Sequence, residues 1–467
     1  MSIAHRLLRA VTAGLAGGSL LRSRPAASGV EPSSTPTSPS VQTSRSPSGT
    51  FDADVIVVGG GAAGLAARAA AEARGLSTIL LEAQDRLGGR VHTVRDARDV
   101  PVDLGAQLIN GDMTEVLALA QTSETWIAPL PVAGRTVVLR SGKVTDHADG
   151  DVIGPGGDFD PSAILQMRRD APASDMIERF IRDRDERALA TASIEELFGR
   201  LARELSAKGI ADVASKYESG RGDGEFQLRD GFGPLLQGLV GRSDGTIRLQ
   251  TPARELAVDA EGVVVAHDGG SLRARGAVIA VPPTVVRAIR FPEALRSQVL
   301  PLLDSYVAGD MIKVTLSYSV PFWRSSGLSG RMLAMGDVQF TAIDASRDDG
   351  SLPRLVVFVG GDSARRLVSL PFERRHDDLL SGLTEVFGPD AAVPEALTEG
   401  VWVDHPWCGG GYNAAIRAGG VWDAGDRLMA LEGRVVFAGA ECAPAFRGFV
   451  EGALRSGMAT MERLTIM

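Results

Sequence analysis

Gly59, Gly61 and Gly64 stand at the spacing G-x-G-x-x-G, and Glu82 closes the next apolar run. Glycines at this spacing suit a dinucleotide. The first permits a tight turn, the second lets backbone approach a pyrophosphate, and the third lets the following helix pack close to the strand. Unpaired N–H groups at the helix start would face the phosphates, and Glu82 would accept hydrogen bonds from a ribose diol. Without a ligand, the same residues would be a glycine-rich turn of an α/β protein. A second candidate is Lys313. The chain has 49 Lys and Arg residues and only four are lysines, so arginine is its default cation. A lysine inside Ile312-Lys313-Val314-Thr315-Leu316 is therefore unusual, although alternation also allows it a solvent-facing place. Cys408 and Cys442 lie in different segments and the six histidines are scattered, so neither a disulfide framework nor a metal centre is expected.

These residues need elements to hold them. Asp54 to Val58 reads as a buried strand, Ala62 onward as a helix, and Ser77 to Leu81 as a second strand ending in Glu82. Val102 to Gln107 reads as a strand running into a loop. Helical periodicity marks Ser193 to Phe198 and Leu201 to Leu205, and Arg229 to Leu235 reads as a turn before a helix. Strand alternation returns over Gly245 to Val258 and Gly262 to Ala266. Ala277 to Val281 is a short buried strand stopped by Pro282 and Pro283. Ile312 to Tyr318, Leu355 to Gly360 and Val435 to Gly439 also read as strands, the last of parallel type, and Val450 opens a final helix. A sheet begun at residue 54 and completed near residue 440 makes the nucleotide domain discontinuous.

With 467 residues and 44% hydrophobic content, the chain can bury a core of two to three domains. A net charge of −9 and a pI near 5.4 give no footprint for nucleic acid. No apolar run approaches the length that spans a bilayer. Residues 2–30 carry arginines and no acid, and Ser, Thr and Pro dominate from Ser28 to Thr50. This reads as a targeting segment and linker, which favours export over a cytoplasmic place. A disordered tail has the same composition, and no twin-arginine pair is present. Residues 1–50 are left out of the fold.

Together the motifs resemble the flavin-containing amine oxidase family, which includes monoamine and polyamine oxidases. Four carry the resemblance, in order: the glycine fingerprint with Glu82 and Gly88-Gly89-Arg90; Ala280-Val281-Pro282-Pro283-Thr284 followed by Lys313 and Pro321-Phe322-Trp323-Arg324; Trp402 with Gly409-Gly410-Gly411-Tyr412; and Phe437-Ala438-Gly439-Ala440-Glu441 running into Arg447-Gly448-Phe449-Val450-Glu451-Gly452-Ala453. The implied fold class is α/β (α+β overall). A discontinuous Rossmann-like FAD-binding domain would comprise 51–127, 225–290 and 405–467. A mixed-sheet and helical substrate domain would comprise 128–224 and 291–404.

The resemblance implies FAD held by Gly59, Gly61, Ala63, Gly64, Glu82, Ala83, Gly89, Arg90, Gly105, Ala106, Gln107, Ala253, Trp402, Glu441 and Val450. Arg90 would contact the diphosphate and Glu441 the ribityl or pyrophosphate region. Ala253 would touch the adenine through its backbone, and the Val450 helix start would face the flavin pyrimidine end. Lys313 would hold a water beside flavin N5. Tyr412 and Phe449 would flank the substrate nitrogen as an aromatic cage; the family pattern has tyrosine at both places. Gly411 stands where some monoamine oxidases carry the cysteine that binds FAD, and Cys408 is three residues too early, so the FAD is expected to be noncovalent. Leu108 falls near the place where related amino-acid oxidases carry an arginine for the substrate carboxylate. This argues against an α-amino acid unless another arginine serves. The expected partners are a small-molecule amine and oxygen or another electron acceptor. The oligomeric state stays open between monomer and homodimer. Two other readings also remain: a desaturase or protoporphyrinogen oxidase-like flavoenzyme, and a flavin-binding protein without turnover.

Overall fold

The computed structural model describes residues 51–131, 133–147, 161–217, 224–240, 245–347 and 349–466. The targeting or tail reading of residues 1–50 lies outside them. Val55, Ile56, Val57 and Val58 are apolar on both faces and buried, as the central strand of a parallel sheet requires. Strand Ala53–Val58 pairs in parallel with Thr78–Leu81 on one side and with Gly270–Ile279 on the other. Thr246–Arg248 adds outside Thr78–Leu81, and Val435–Phe437 pairs in parallel with Ala277–Ile279. Counted along the chain, these five parallel strands lie in the order 3-2-1-4-5, the doubly wound dinucleotide order. Its switch point falls between Val58 and Ile279. A hairpin, Ala253–Val258 and Val263–His267, extends the sheet antiparallel from Gly270–Ala274.

The glycine turn follows from contact distances. Gly59 has φ +105°, where an L side chain is strained. A methyl on Gly64 would stand 1.9 Å from the Gly59 carbonyl oxygen, so helix Ala62–Glu72 can reach the turn only with glycine there.

A second, mixed sheet runs in the order Ala396–Val401, Met311–Ser317, Arg354–Gly360, Phe340–Asp344, Leu328–Met335, Arg135–Arg140 and Lys143–His147. One face carries Ile312, Val314, Leu316, Val357 and Val359 into an apolar core that includes Leu367, Leu379 and Leu383. The opposite face carries Met311, Ile343, Val356 and Phe358 towards Trp402 and Cys408.

Three element readings change. The single alternation over 245–258 is two strands at opposite edges of the first sheet, because the chain turns at Gln250 (φ +51°) and Pro252 offers no N–H. Leu201 to Leu205 is a short 3₁₀ turn, Ala202–Glu204. Helix Arg184–Phe198 ends at left-handed Gly199 (φ +62°), which reverses the chain before it. The strand ending at Ile279 begins at Gly270, earlier than its apolar end suggests, because its first half starts exposed, alternates, and pairs with the hairpin strand Val263–His267.

Candidate active site

The carboxyl ends of Ala53–Val58 and Gly270–Ile279 open into one cavity. Every residue singled out above as catalytic or cofactor-binding lines it except Gly64. Gly64 serves by packing, because its Cα faces the Gly59 carbonyl rather than the cavity. Gly61 is different: a methyl there would meet only the Gly88 carbonyl oxygen, at 3.8 Å. Helix Ala62–Glu72 has no side-chain N-cap and no acid in its first turn, and helix Val450–Met458 also has no side-chain cap. Two helix N-termini thus reach the same cavity with donors that no capping side chain takes up, a fit to a pyrophosphate and to an electron-rich ring edge. Glu82 is buried and spans the turn: Oε2 accepts from Gly60 N at 2.6 Å and Oε1 from Gln84 N at 2.8 Å.

Arg90 and Glu441 find each other. The guanidinium donates from Nη1 to Oε1 at 2.6 Å and from Nη2 to Oε2 at 3.0 Å, and Nη1 also donates to the Tyr412 carbonyl at 3.0 Å. Burial alone would raise the Glu441 pKa; Arg90 outweighs it and holds the carboxyl below its usual range. Ala414 N donates to the same Oε1 at 3.0 Å. Five guanidinium protons less these three bonds leave Arg90 further donors for a phosphate. Glu441 positions Arg90 and the 412–414 loop as well as lining the cavity.

Lys313 lies on the cavity face of the second sheet. In register, Lys313 pairs with Phe358, and Phe358 pairs with Thr341, so these side chains form a row across three strands. Lys313 is 2% exposed, and Nζ donates to the Gly105 carbonyl at 2.9 Å. Burial pushes its pKa down to about 8, opposed by buried Asp103. The ammonium stands 5.7 Å from the Phe358 ring centroid, and that ring meets Tyr412 edge-on at 5.9 Å.

Trp402 donates from Nε1 to the Leu104 carbonyl at 2.9 Å. A methyl on Gly411 would meet Trp402 Cβ at 3.1 Å and Met311 Cβ at 3.4 Å. The Cys408 thiol is free and buried, and burial pushes its pKa up to about 11. Gln107 donates to Gln227 Oε1 at 3.1 Å. The Phe449 ring lies 5.0 Å from Tyr217, whose hydroxyl accepts from Asn110 Nδ2 at 2.6 Å.

Sequence reasoning missed Tyr217 and, more importantly, Glu196. The latter is buried, lines the cavity, and accepts the Tyr412 hydroxyl at 3.2 Å. Thr341 is its second hydrogen-bond partner, and burial pushes its pKa up to about 7. The doublet Glu195-Glu196 on an amphipathic helix has the look of a solvated face. No local signal marks which of the two turns inward.

The model of the flavin-containing amine oxidoreductases matches residues 154–464, and that of NAD(P)-binding Rossmann-like domains matches 57–122. The L-amino acid dehydrogenase of Synechocystis sp. is 27% identical over 448 residues, covering 88% of this chain and 94% of that one. The flavin-containing amine oxidase B of Bos taurus is 26% identical over 438 residues, covering 86% and 84%. Among solved structures, cyclohexylamine oxidase from Brevibacterium oxydans aligns with TM-score 0.77 at 26% identity, covering 87% of this chain and 97% of that one. Putrescine oxidase aligns with TM-score 0.79 at 23% identity, a likeness of fold.

Proposed function

The chain belongs to the flavin-containing amine oxidoreductases and uses FAD, and from that premise we propose that it oxidises an amine at the carbon bearing nitrogen and hands the electrons to oxygen. The observation that carries this reading is the row Lys313–Phe358–Thr341, with Tyr412 packed edge-on against Phe358, lining the cavity that the two helix N-termini enter.

FAD supplies an acceptor, N5, for a hydride equivalent from the amine α-carbon. The residues of the chain do the rest by placement. Tyr412 and Phe449 would bound the slot for the neutral amine, and Lys313, anchored on the Gly105 carbonyl, would hold a water at the inner wall, on the side of flavin N5. The uncapped Val450 helix start would hold the pyrimidine end of the flavin, where its positive end favours negative charge. Water hydrolyses the resulting imine to a carbonyl compound and ammonia or a smaller amine, and oxygen is reduced to hydrogen peroxide. Binding is noncovalent: position 411 has no thiol, and the Cys408 thiol is neutral at pH 7. Residues 128–224 and 291–404 serve as the substrate-binding unit around the second sheet.

The likeness to an L-amino acid dehydrogenase raises a second reading, an α-amino acid whose carboxylate is held by Arg331. Arg331 lines the cavity, but its strand is three places from that of Lys313, about 14 Å in sheet spacing. An α-carboxylate sits one bond from the reacting carbon, so Arg331 is too far from the Lys313 end to hold it.

Aerobic turnover tests the proposal. One carbonyl, one ammonia or smaller amine and one peroxide should form per amine consumed. Carbonyl formation without peroxide would replace oxygen by another acceptor. Turnover of α-amino acids in preference to simple amines would overturn the assignment.

A further inference from the structure

Helix Arg184–Phe198 delivers the Glu196 carboxylate to the part of the cavity that Thr341, Phe358 and Tyr412 also line. Gly360 makes this possible: a methyl there would stand 2.7 Å from the Glu196 carbonyl oxygen and 2.8 Å from its Cα. The helix end is then pinned, because Gly199 O accepts from Asp310 N at 2.8 Å, one residue before the Met311 strand. Tyr412 and Thr341 hold the carboxylate from two other elements. These two hydroxyls are the groups that face it. No charge of the described residues contributes to its titration, and burial is what raises its pKa. Two hydroxyls stabilise a carboxylate less than a cation does, so the site suits a positive partner, and none of the described residues is paired with Glu196 in that way.

We propose that Glu196 is the specificity-determining residue of the cavity, and that it takes the distal ammonium of an α,ω-diamine whose other nitrogen is oxidised between Tyr412 and Phe449. This deepens the amine-oxidase reading and rests on it. Thr341, which marks the carboxylate, is two strands from Lys313, which marks the flavin end. Two strand spacings are about 10 Å between backbones; the side chains that reach into the cavity shorten this, so the span suits a short diamine such as putrescine to hexamethylenediamine. The distal nitrogen stays protonated at neutral pH, whereas the reacting nitrogen must be neutral, so one substrate meets both requirements. Because the Tyr412 hydroxyl donates to the same carboxylate, the ring that orients the reacting nitrogen is braced by the group that reads the other end.

The test compares α,ω-diamines with n-alkylamines of equal length on the FAD-loaded enzyme, in two readouts. In anaerobic flavin reduction, kcat/KM for putrescine should exceed that for n-butylamine by at least about tenfold. Glu196→Leu should erase that preference by lowering kcat/KM for putrescine at least about tenfold more than for n-butylamine, whose own change reports the loss of the brace on Tyr412, and Glu196→Gln should fall between. In calorimetric titration of dithionite-reduced enzyme, on which no amine can turn over, putrescine should bind at least about tenfold tighter than n-butylamine. Its affinity should weaken as pH falls below about 7, where Glu196 takes up its proton, and Glu196→Leu should be insensitive to this. Equal binding of the two amines, or a preference that survives Glu196→Leu, overturns the proposal. Failure of every amine to reduce the flavin overturns the oxidase reading instead, and the titration still decides the Glu196 assignment.

Discussion

In the proposed reading, the chemistry and its selectivity turn on two buried ionisable side chains, Lys313 and Glu196. Lys313→Met removes the donor to Gly105 and the charge beside Phe358 while keeping the apolar volume. Losing one positioned hydrogen bond from a charged donor is worth about 1.5–3 kcal/mol, so flavin reduction or reoxidation should slow about tenfold or more with FAD content unchanged. Stopped-flow absorbance on the two half-reactions checks this, and unchanged rates in both would remove Lys313 from the chemistry. Glu196 also makes a stability prediction. Its folded-state pKa of about 7 lies above the ordinary glutamate value of 4.5. The unfolded chain therefore loses this proton first as pH rises. Stability falls between pH 4.5 and 7, and the loss is complete above that window, at about 3 kcal/mol as an upper bound. In amine-free enzyme, Glu196→Gln should melt a few degrees above wild type at pH 8, and the difference should shrink to nothing towards pH 4.5. A constant difference across that range would mean that Glu196 is not buried as a carboxyl.

At the scale of elements, the glycine turn was legible because strand, turn and helix are contiguous, and each glycine has a local reason. Those reasons differ and can be separated. Gly64→Ala drives a methyl to 1.9 Å from the Gly59 carbonyl oxygen and should lower both the melting temperature and FAD content. Gly61→Ala meets nothing of the protein closer than 3.8 Å. It should fold normally yet hold FAD at least about tenfold more weakly, the signature of backbone that a ligand approaches. Equal FAD affinity in Gly61→Ala and wild type would contradict that geometry. The second sheet was less legible. Met311–Ser317 is buried on both faces, so alternation could not say which face Lys313 takes; the packing of Leu367, Leu379 and Leu383 against the other face decides it. Glu196 was illegible for a similar reason. Its place depends on Gly360 and Gly199 letting a helix lie against a strand far along the chain.

Across the whole molecule, the cavity is assembled from distant pieces of chain. The Arg90–Glu441 pair joins the Gly88-Gly89 turn to the last strand and helix, and carries Tyr412 with it through its carbonyl. The order 3-2-1-4-5 puts the nucleotide crevice at the switch point, and the second sheet closes it with the Lys313 row. The central claim is that this cavity reduces its flavin with electrons from an amine. Anaerobic titration of the purified FAD-loaded enzyme tests it directly. The oxidised-flavin absorbance should bleach on addition of an amine, with diamines fastest, and should return on admitting oxygen. A flavin that dithionite reduces but that no monoamine, diamine or polyamine bleaches would contradict the account.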